Sequence, residues 1–323
     1  GPEIGMHPFV GNGEIGFEDG EDAGDEYNYS PPQADSFHSP QVVSLKVFRH
    51  GLIPCLEIGY ILKVPAKLSA DRHSRSRKMV NMPVRSRISL SPGIPRIDIH
   101  TEVDNLAQDH RLRVHFPAPF TVQAADHDGH FEVVHRSLGV PEKGDNWVED
   151  PRPEVPQRAF TDISNGEIGL TIANRGLPEV EAVKGKGSAG TEIALTLLRC
   201  VGWLSRDDMP VRQGHAGPAL ETPGGQMPGK WEFDYAIIPH RGDWRESCRQ
   251  AYAFQTTLRA VETGIHSGEI PATGTFLASS PKAFVVSAVK ASEDGKDWLV
   301  RGYNISSETI QLRLRPLRRF AQA

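Results

Sequence analysis

The sequence predicts an all-β protein of antiparallel strands with one helix. Three observations carry this. Gly 31 and Pro 25 are plentiful while hydrophobic residues stay at 38%, a balance suited to many short strands joined by turns and not to a helical bundle. Apolar and polar residues alternate with period two in one stretch after another. Asn-Gly and Asp-Gly pairs recur between those stretches as hairpin turns.

Taken in order, residues 1–16 are Gly-rich, with Asn12-Gly13 placed as a turn between short apolar pieces. Residues 17–32, FEDGEDAGDEYNYSPP, follow and organise the rest. Glu18, Asp19, Glu21, Asp22, Asp25 and Glu26 crowd together, and no Lys or Arg precedes Lys46. Such a run repels itself unless water, a metal or distant guanidinium groups screen it. It reads either as a solvated acidic loop or as a loop that sets Tyr27 and one carboxylate at the rim of a polar site. In an extended chain Tyr27 and Tyr29 share one face.

Residues 41–49 and 52–62 alternate as strands. Ile88 with Leu90, and Ile97 with Ile99, mark one face of two more, turned at Pro92-Gly93. The basic cluster 72–78 is expected on an exposed or groove-facing strand, where it is able to meet the acidic stretch. Residues 111–116 form a strand stopped by Pro117. Asp128-Gly129 turns into the strand that ends near Arg136. The Pro-rich segment 139–157 is a surface loop, and Asn165-Gly166 joins a hairpin. Residues 191–198 are a buried strand. Residues 204–229 form a polar loop long enough to be functional or disordered.

One helix starts at Asp243, whose spacing to Glu246 is a capping box. Trp244, Cys248, Ala251, Phe254, Leu258 and Val261 carry it at helical spacing to Gly264. Strands resume at 283–289 and 298–303 around Asp294-Gly295, and 309–315 alternates again.

The net charge of −5 gives no footprint for nucleic acid. No apolar run is long enough for a membrane helix, so no membrane partner is expected. Cys55, Cys200 and Cys248 are sparse and odd in number, which predicts reduced thiols and a cytoplasmic protein. The chain opens on Gly-Pro and not Met, as a fragment of a longer protein does.

Familiar chemical signatures are weak. Residues 185–190, GKGSAG, match G-x-G-x-x-G, but a strand pattern follows where a phosphate site needs a helix N-terminus. His127 and His130 straddle a tight turn with no clear third ligand, so no metal site is expected. No strand–turn–nucleophile signature exists for a Ser-His-Asp triad. The acidic stretch holds carboxylates enough for glycoside hydrolysis, though spacing in sequence does not fix their separation in space.

An ordered set of stretches resembles the C-terminal β region of the glycoside hydrolase family 38 α-mannosidases. These are 17–32, RIDIHTEVDNLAQDHRLRVHFP at 96–117, DGHFEVVHR at 128–136, and AFTDISNGEIGLTIANRGLPEVE at 159–181. ALTLLRCVGWLSRDD at 194–208, FDYAIIPHRGDW at 233–244 and AFVVSAVKASEDGKDWLVRGYN at 283–304 complete it. The resemblance implies a galactose-mutarotase-like β supersandwich over 1–281 and the start of an Ig-like β module over 282–323. It implies that zinc and the Asp nucleophile of the parent enzyme belong to an N-terminal barrel and helical segment that no part of this chain resembles. The chain is then non-catalytic alone, with that barrel and α-mannoside glycans as partners, and self-association through the uncovered face stays open. Tyr27 and Arg136 match a tyrosine and a basic residue that the family lends to the sugar cleft, with Asp25 orienting them. A phenol and a guanidinium suit sugar hydroxyls. The competing readings are a stand-alone carbohydrate-binding or structural β-sandwich, and a mutarotase-like enzyme using His130 and Glu132.

Overall fold

The computed structural model describes residues 16–33, 38, 40–185, 190–269 and 271–317. The Asn12-Gly13 turn and most of the GKGSAG stretch lie outside them. Two units are described separately: 1–128 with 134–255, and 129–133 with 256–323.

The first unit runs β1 (Gly16–Glu21), β2 (Gln41–His50), β3 (Ile53–Pro65), β4 (Met79–Leu90), β5 (Ile97–Asn105), β6 (His110–Pro117) and β7 (Ala124–Asp128). It continues with β8 (Val133–Ser137), β9 (Val155–Pro156), β10 (Phe160–Ser164), β11 (Ile168–Asn174), β12 (Glu179–Lys184), β13 (Thr191–Cys200), β14 (Gly229–Arg241) and α1 (Trp244–Gln255). Five strands form one sheet in the order β1-β6-β13-β12-β9. Nine form the other, in the order β2-β3-β4-β5-β14-β11-β10-β7-β8. Every register assigned between them is antiparallel.

The alternation predicted from sequence builds the core between the sheets. Leu112, Val114 and Phe116 of β6 point inward with Ile193 and Leu195 of β13. Ile58, Tyr60, Leu62, Met82, Val84 and Tyr235 answer them from the nine-stranded sheet. Phe116 meets Tyr235 edge to face at 5.6 Å and Phe17 meets Tyr60 at 5.5 Å. A bulge between Thr196 and Leu198 re-phases β13, so that Leu198 pairs with Leu112 and still faces the core.

The other face of the five-stranded sheet is charged and yet buried. Arg113 bonds Glu18 on one neighbour at 2.5 Å and reaches Glu181, two strands away, at 2.6 Å. It crosses β13 where the side chains facing His115 and Arg113 are only Ala194 and Thr196. His115 joins Glu18 to Glu192, and Arg111 holds Glu154 at 2.5 Å.

Two elements differ from the sequence expectation. The basic cluster 72–78 is a loop and not an exposed strand: Arg75 is buried, 2.5 Å from Asp19 and 3.6 Å from Glu21. The helix stops at Gln255, short of Leu258 and Val261, which are exposed. Arg175 ends it by donating to the Phe254 carbonyl at 2.6 and 2.9 Å and lying over the Phe254 ring. At the start, the Asp243 side chain accepts from the Arg245 N–H at 2.8 Å.

The second unit pairs β15 (Leu277–Ser280) with β18 (Arg313–Pro316), and β16 (Phe284–Ala291) with β17 (Trp298–Asn304). The β16–β17 turn falls at Asp294-Gly295, where Gly295 takes φ 72°. Phe131, in the 129–133 piece, meets Tyr303 edge to face at 6.3 Å.

Candidate functional site

The acidic stretch is neither solvated nor wholly a loop. Residues 16–21 are strand β1, and Glu18, Asp19, Glu21, Asp22 and Asp25 are all buried; Glu26 is exposed. Each buried carboxylate with a recorded partner meets a cation brought from far along the chain: Asp19 meets Arg75 and His110, Asp22 meets Arg199, and Asp25 meets Arg212. Distant guanidinium groups thus screen the run.

Asp25 is the hub of the turn that follows. Its Oδ1 accepts the N–H groups of Tyr27 and Asn28, both at 3.0 Å, an Asx turn. Its Oδ2 accepts the Arg206 N–H at 2.8 Å and Arg212 Nη2 at 2.5 Å. Burial alone would raise the Asp25 pKa. The Arg212 hydrogen bond leads the contacts that outweigh it, and the carboxyl is held below its ordinary range. Gly24 makes the turn: a Cβ there would come within 2.0 Å of the Asn28 carbonyl oxygen.

The turn breaks the extended path that would have put both tyrosines on one face. Tyr29 lies against Arg111, whose guanidinium is 3.5 Å from the ring centroid, with Arg152 at 5.2 Å. Tyr27 stays 53% exposed. Arg212 sits 5.9 Å from its ring centroid, and a Cβ on Gly217 would lie 2.7 Å from its hydroxyl. Ser205 fixes that wall by accepting the N–H groups of Ala216 and Gly217 and bonding Arg212. The phenol is therefore held along one flank and open to solvent along the other.

Arg136 belongs to a second group. It lies on β8 and lines a pocket of about 690 Å³ with His127, Arg152, Glu181 and Lys184. The structure joins Tyr27 to Asp25 directly. Among the described residues Arg136 shares no recorded partner with either; Arg152 lines the Arg136 pocket and stands over Tyr29.

Sequence reasoning missed Arg212, Ser205, Arg206 and Arg199. The available signal was the length of the 204–229 loop, which pointed to function without saying which residues serve it. The histidines near 127 do not converge. His127 bonds Thr161, His135 bonds Asp126, and His130 is exposed. Among the described residues no group of three His, Cys, Asp or Glu side chains is arranged to hold a metal ion. The acidic stretch does not fit zinc, because the oxygens of Asp19, Asp22 and Asp25 already accept from guanidinium, imidazole and N–H donors. Cys55, Cys200 and Cys248 are free and buried, and no helix among the described residues is long and apolar enough to cross a membrane.

Comparison with known proteins gives matches along most of the chain. The family described as glycosyl hydrolases family 38 C-terminal domain matches residues 11–209, and glycosyl hydrolases family 38 C-terminal beta sandwich domain matches 283–321. A putative mannosylglycerate hydrolase of Halalkalibacterium halodurans is 27% identical over 90% of this chain and 32% of its own length. The human alpha-mannosidase 2C1 is 27% identical over 66% of this chain and 18% of its own. The crystal structure of an alpha-mannosidase from Enterococcus faecalis V583 superposes with a TM-score of 0.79 at 25% identity, covering 93% of this chain and 34% of that one. The chain thus spans about a third or less of the length of these relatives.

Proposed function

The chain belongs to the glycosyl hydrolases family 38 C-terminal domain family, and from that premise we propose that it is the non-catalytic β region of an α-mannosidase, packing on the catalytic barrel and lending side chains to the sugar cleft. Tyr27 is the side chain offered, Asp25 orients it through the turn, and Arg136 contributes a second donor group. In this reading the small β module lies within the second unit, where β15 already pairs with β18. The parent enzyme hydrolyses terminal α-mannosides with retention, and the three reduced cysteines favour a cytoplasmic location.

The observation that carries the proposal is the state of Tyr27. Its backbone N–H is held in the Asx turn at Asp25, and its ring is flanked by the Arg212 guanidinium and by Gly217, which limits the space the exposed ring can sweep. Fixing a phenol before the ligand arrives removes part of the entropy cost of binding, which suits a residue that donates to or accepts from a sugar hydroxyl. Zinc, when bound in the parent enzyme, would hold and polarise sugar oxygens. Its ligands are assigned to segments outside this chain, and the residues here only position substrate.

Hydrolysis of 4-nitrophenyl α-mannoside is the test. The chain alone is expected to release no nitrophenol, and the full polypeptide that contains it is expected to release it. Release by the chain alone overturns the proposal.

A further inference from the structure

The Arg136 pocket has a charge pattern that the sugar-cleft reading does not use. It opens where β8, at the end of the nine-stranded sheet, comes near β12 and the segment leading into β9. Apolar side chains including Leu138, Val155 and Val183 line it, and Arg136, Arg152 and Lys184 bring three positive charges. Glu181 is the one acidic residue in the lining, and it holds Arg113 at 2.6 Å.

Arg152 Nε stands 3.4 Å from Glu154, while two observations leave the charge of Arg136 available to a ligand. Arg136 Nη1 is shut off from solvent and donates to no acceptor among the described residues. A guanidinium N–H in that state loses its hydration without compensation, which is costly unless a ligand supplies an acceptor. His127, also in the lining, is buried. Burial first, then the charges of Arg136 and His135, pull its pKa down to about 3, so the ring is neutral at working pH. The chain thus presents a fork of donors and a second guanidinium against apolar walls, the usual composition of a site for a small charged ligand.

We propose that this pocket binds an anionic group, a carboxylate or phosphate carried by the ligand, with Arg136 as its anchor and Arg152 and Lys184 as flanking charges. The proposal builds on the reading of Arg136 as a ligand-facing residue and adds the class of group it meets. It does not depend on Tyr27 or on the barrel, so the two readings fail separately.

The test is titration of the 323-residue chain at low ionic strength with sodium glycolate and with inorganic phosphate, using ethylene glycol as the neutral control. Saturable binding of either anion, and none of ethylene glycol, is expected. Binding of glycolate alone identifies a carboxylate site, phosphate alone a phosphoryl site, and both a site that reads charge; each supports the proposal. Arg136→Met is expected to weaken binding by about tenfold or more. Should that variant fail to fold, Lys184→Met at the pocket rim decides, with about threefold weakening expected. If neither anion saturates the folded chain, or if the deciding variant binds as tightly as the native protein, the proposal is overturned. In that event loss of parent-enzyme activity on changing Tyr27 would still stand as evidence for the sugar cleft.

Discussion

Asp25 and Arg212 lie 187 residues apart in sequence and 2.5 Å apart in the fold, and both are buried. This pair ties the turn after β1 to the 204–217 loop, and the position of Tyr27 depends on it. Removing the guanidinium would leave Asp25 buried without its countercharge. Arg212→Met is therefore expected to cost about 3–5 kcal/mol. Urea unfolding measures this, and proteolysis of the 204–217 loop under native conditions should quicken in parallel. Arg212→Lys is expected to recover little, because a single ammonium does not serve Asp25, Asn28 and the Arg206 and Gly214 carbonyls from one fork.

Tyr27 separates positioning from folding. Its hydroxyl points past Gly217, and the ring is half in solvent, so Tyr27→Phe should leave the unfolding midpoint unchanged. In the parent enzyme the same change is expected to lower kcat/KM for an α-mannoside by about tenfold, the value of about one hydrogen bond. Zinc content should not change. An unaltered kcat/KM would remove Tyr27 from the cleft.

Tyr235 poses the opposite case, a polar group whose role is structural. Its hydroxyl lies 2.7 Å from Thr101 Oγ1, which in turn lies 2.9 Å from Ser86 Oγ, all inside the nine-stranded sheet's buried face. Deleting the hydroxyl breaks the chain of hydrogen bonds and strands part of it. Tyr235→Phe is expected to destabilise by about 1–3 kcal/mol in urea unfolding. Adding Thr101→Val together with Ser86→Ala should restore part of that loss, because the three changes together leave no hydroxyl of the chain buried without its partner.

The strands and turns were legible because their signals are local. Asn165 shows this well: its side chain accepts the N–H groups of Glu167 and Ile168, and Gly166 takes φ 91°, all within four residues. The start of α1 was legible for the same reason, while its end was not, since Arg175 comes from the bend after β11 to cap it. The acidic stretch was ambiguous because its partners are remote. Nothing between residues 17 and 32 shows that Arg75, Arg199 and Arg212 will arrive, so a buried, paired run has the same local sequence as a solvated one. Tyr27, Asp25 and Arg136 were singled out through resemblance to a family. Residue patterns alone would not have distinguished them, and the loop residues that hold Tyr27 carry no spacing signature at all.

Raising the pH is expected to loosen the region around Asp19. His110 is fully buried, with Nδ1 2.6 Å from Asp19 Oδ1 and Nε2 3.0 Å from Asn105 Oδ1. Asn105 Oδ1 also accepts the Ala107 N–H, and Asn105 Nδ2 donates to the Met227 carbonyl, so the amide presents its oxygen to the ring. Both ring nitrogens therefore face acceptors, and only the imidazolium donates from both. Burial alone would lower the His110 pKa; Cys200 and the Asp19 carboxylate outweigh it and hold it well above the ordinary value. Asp19 answers in the other direction. Burial would raise it, and His110 leads the partners that hold it low. An unfolded histidine sheds its proton near about 6.5, while folded His110 keeps its own to higher pH. Above about pH 6.5 the folded state binds more protons than the unfolded one. Stability then falls with rising pH, at up to about 1.4 kcal/mol per unit, until His110 itself deprotonates. The urea midpoint is expected to be lower at pH 9 than at pH 6.5, and His110→Gln, though less stable at the lower pH, should show a flatter dependence. A midpoint that does not move between those pH values, with the same slope in the variant, would mean that the ring is neutral and that one of its two contacts is not a hydrogen bond.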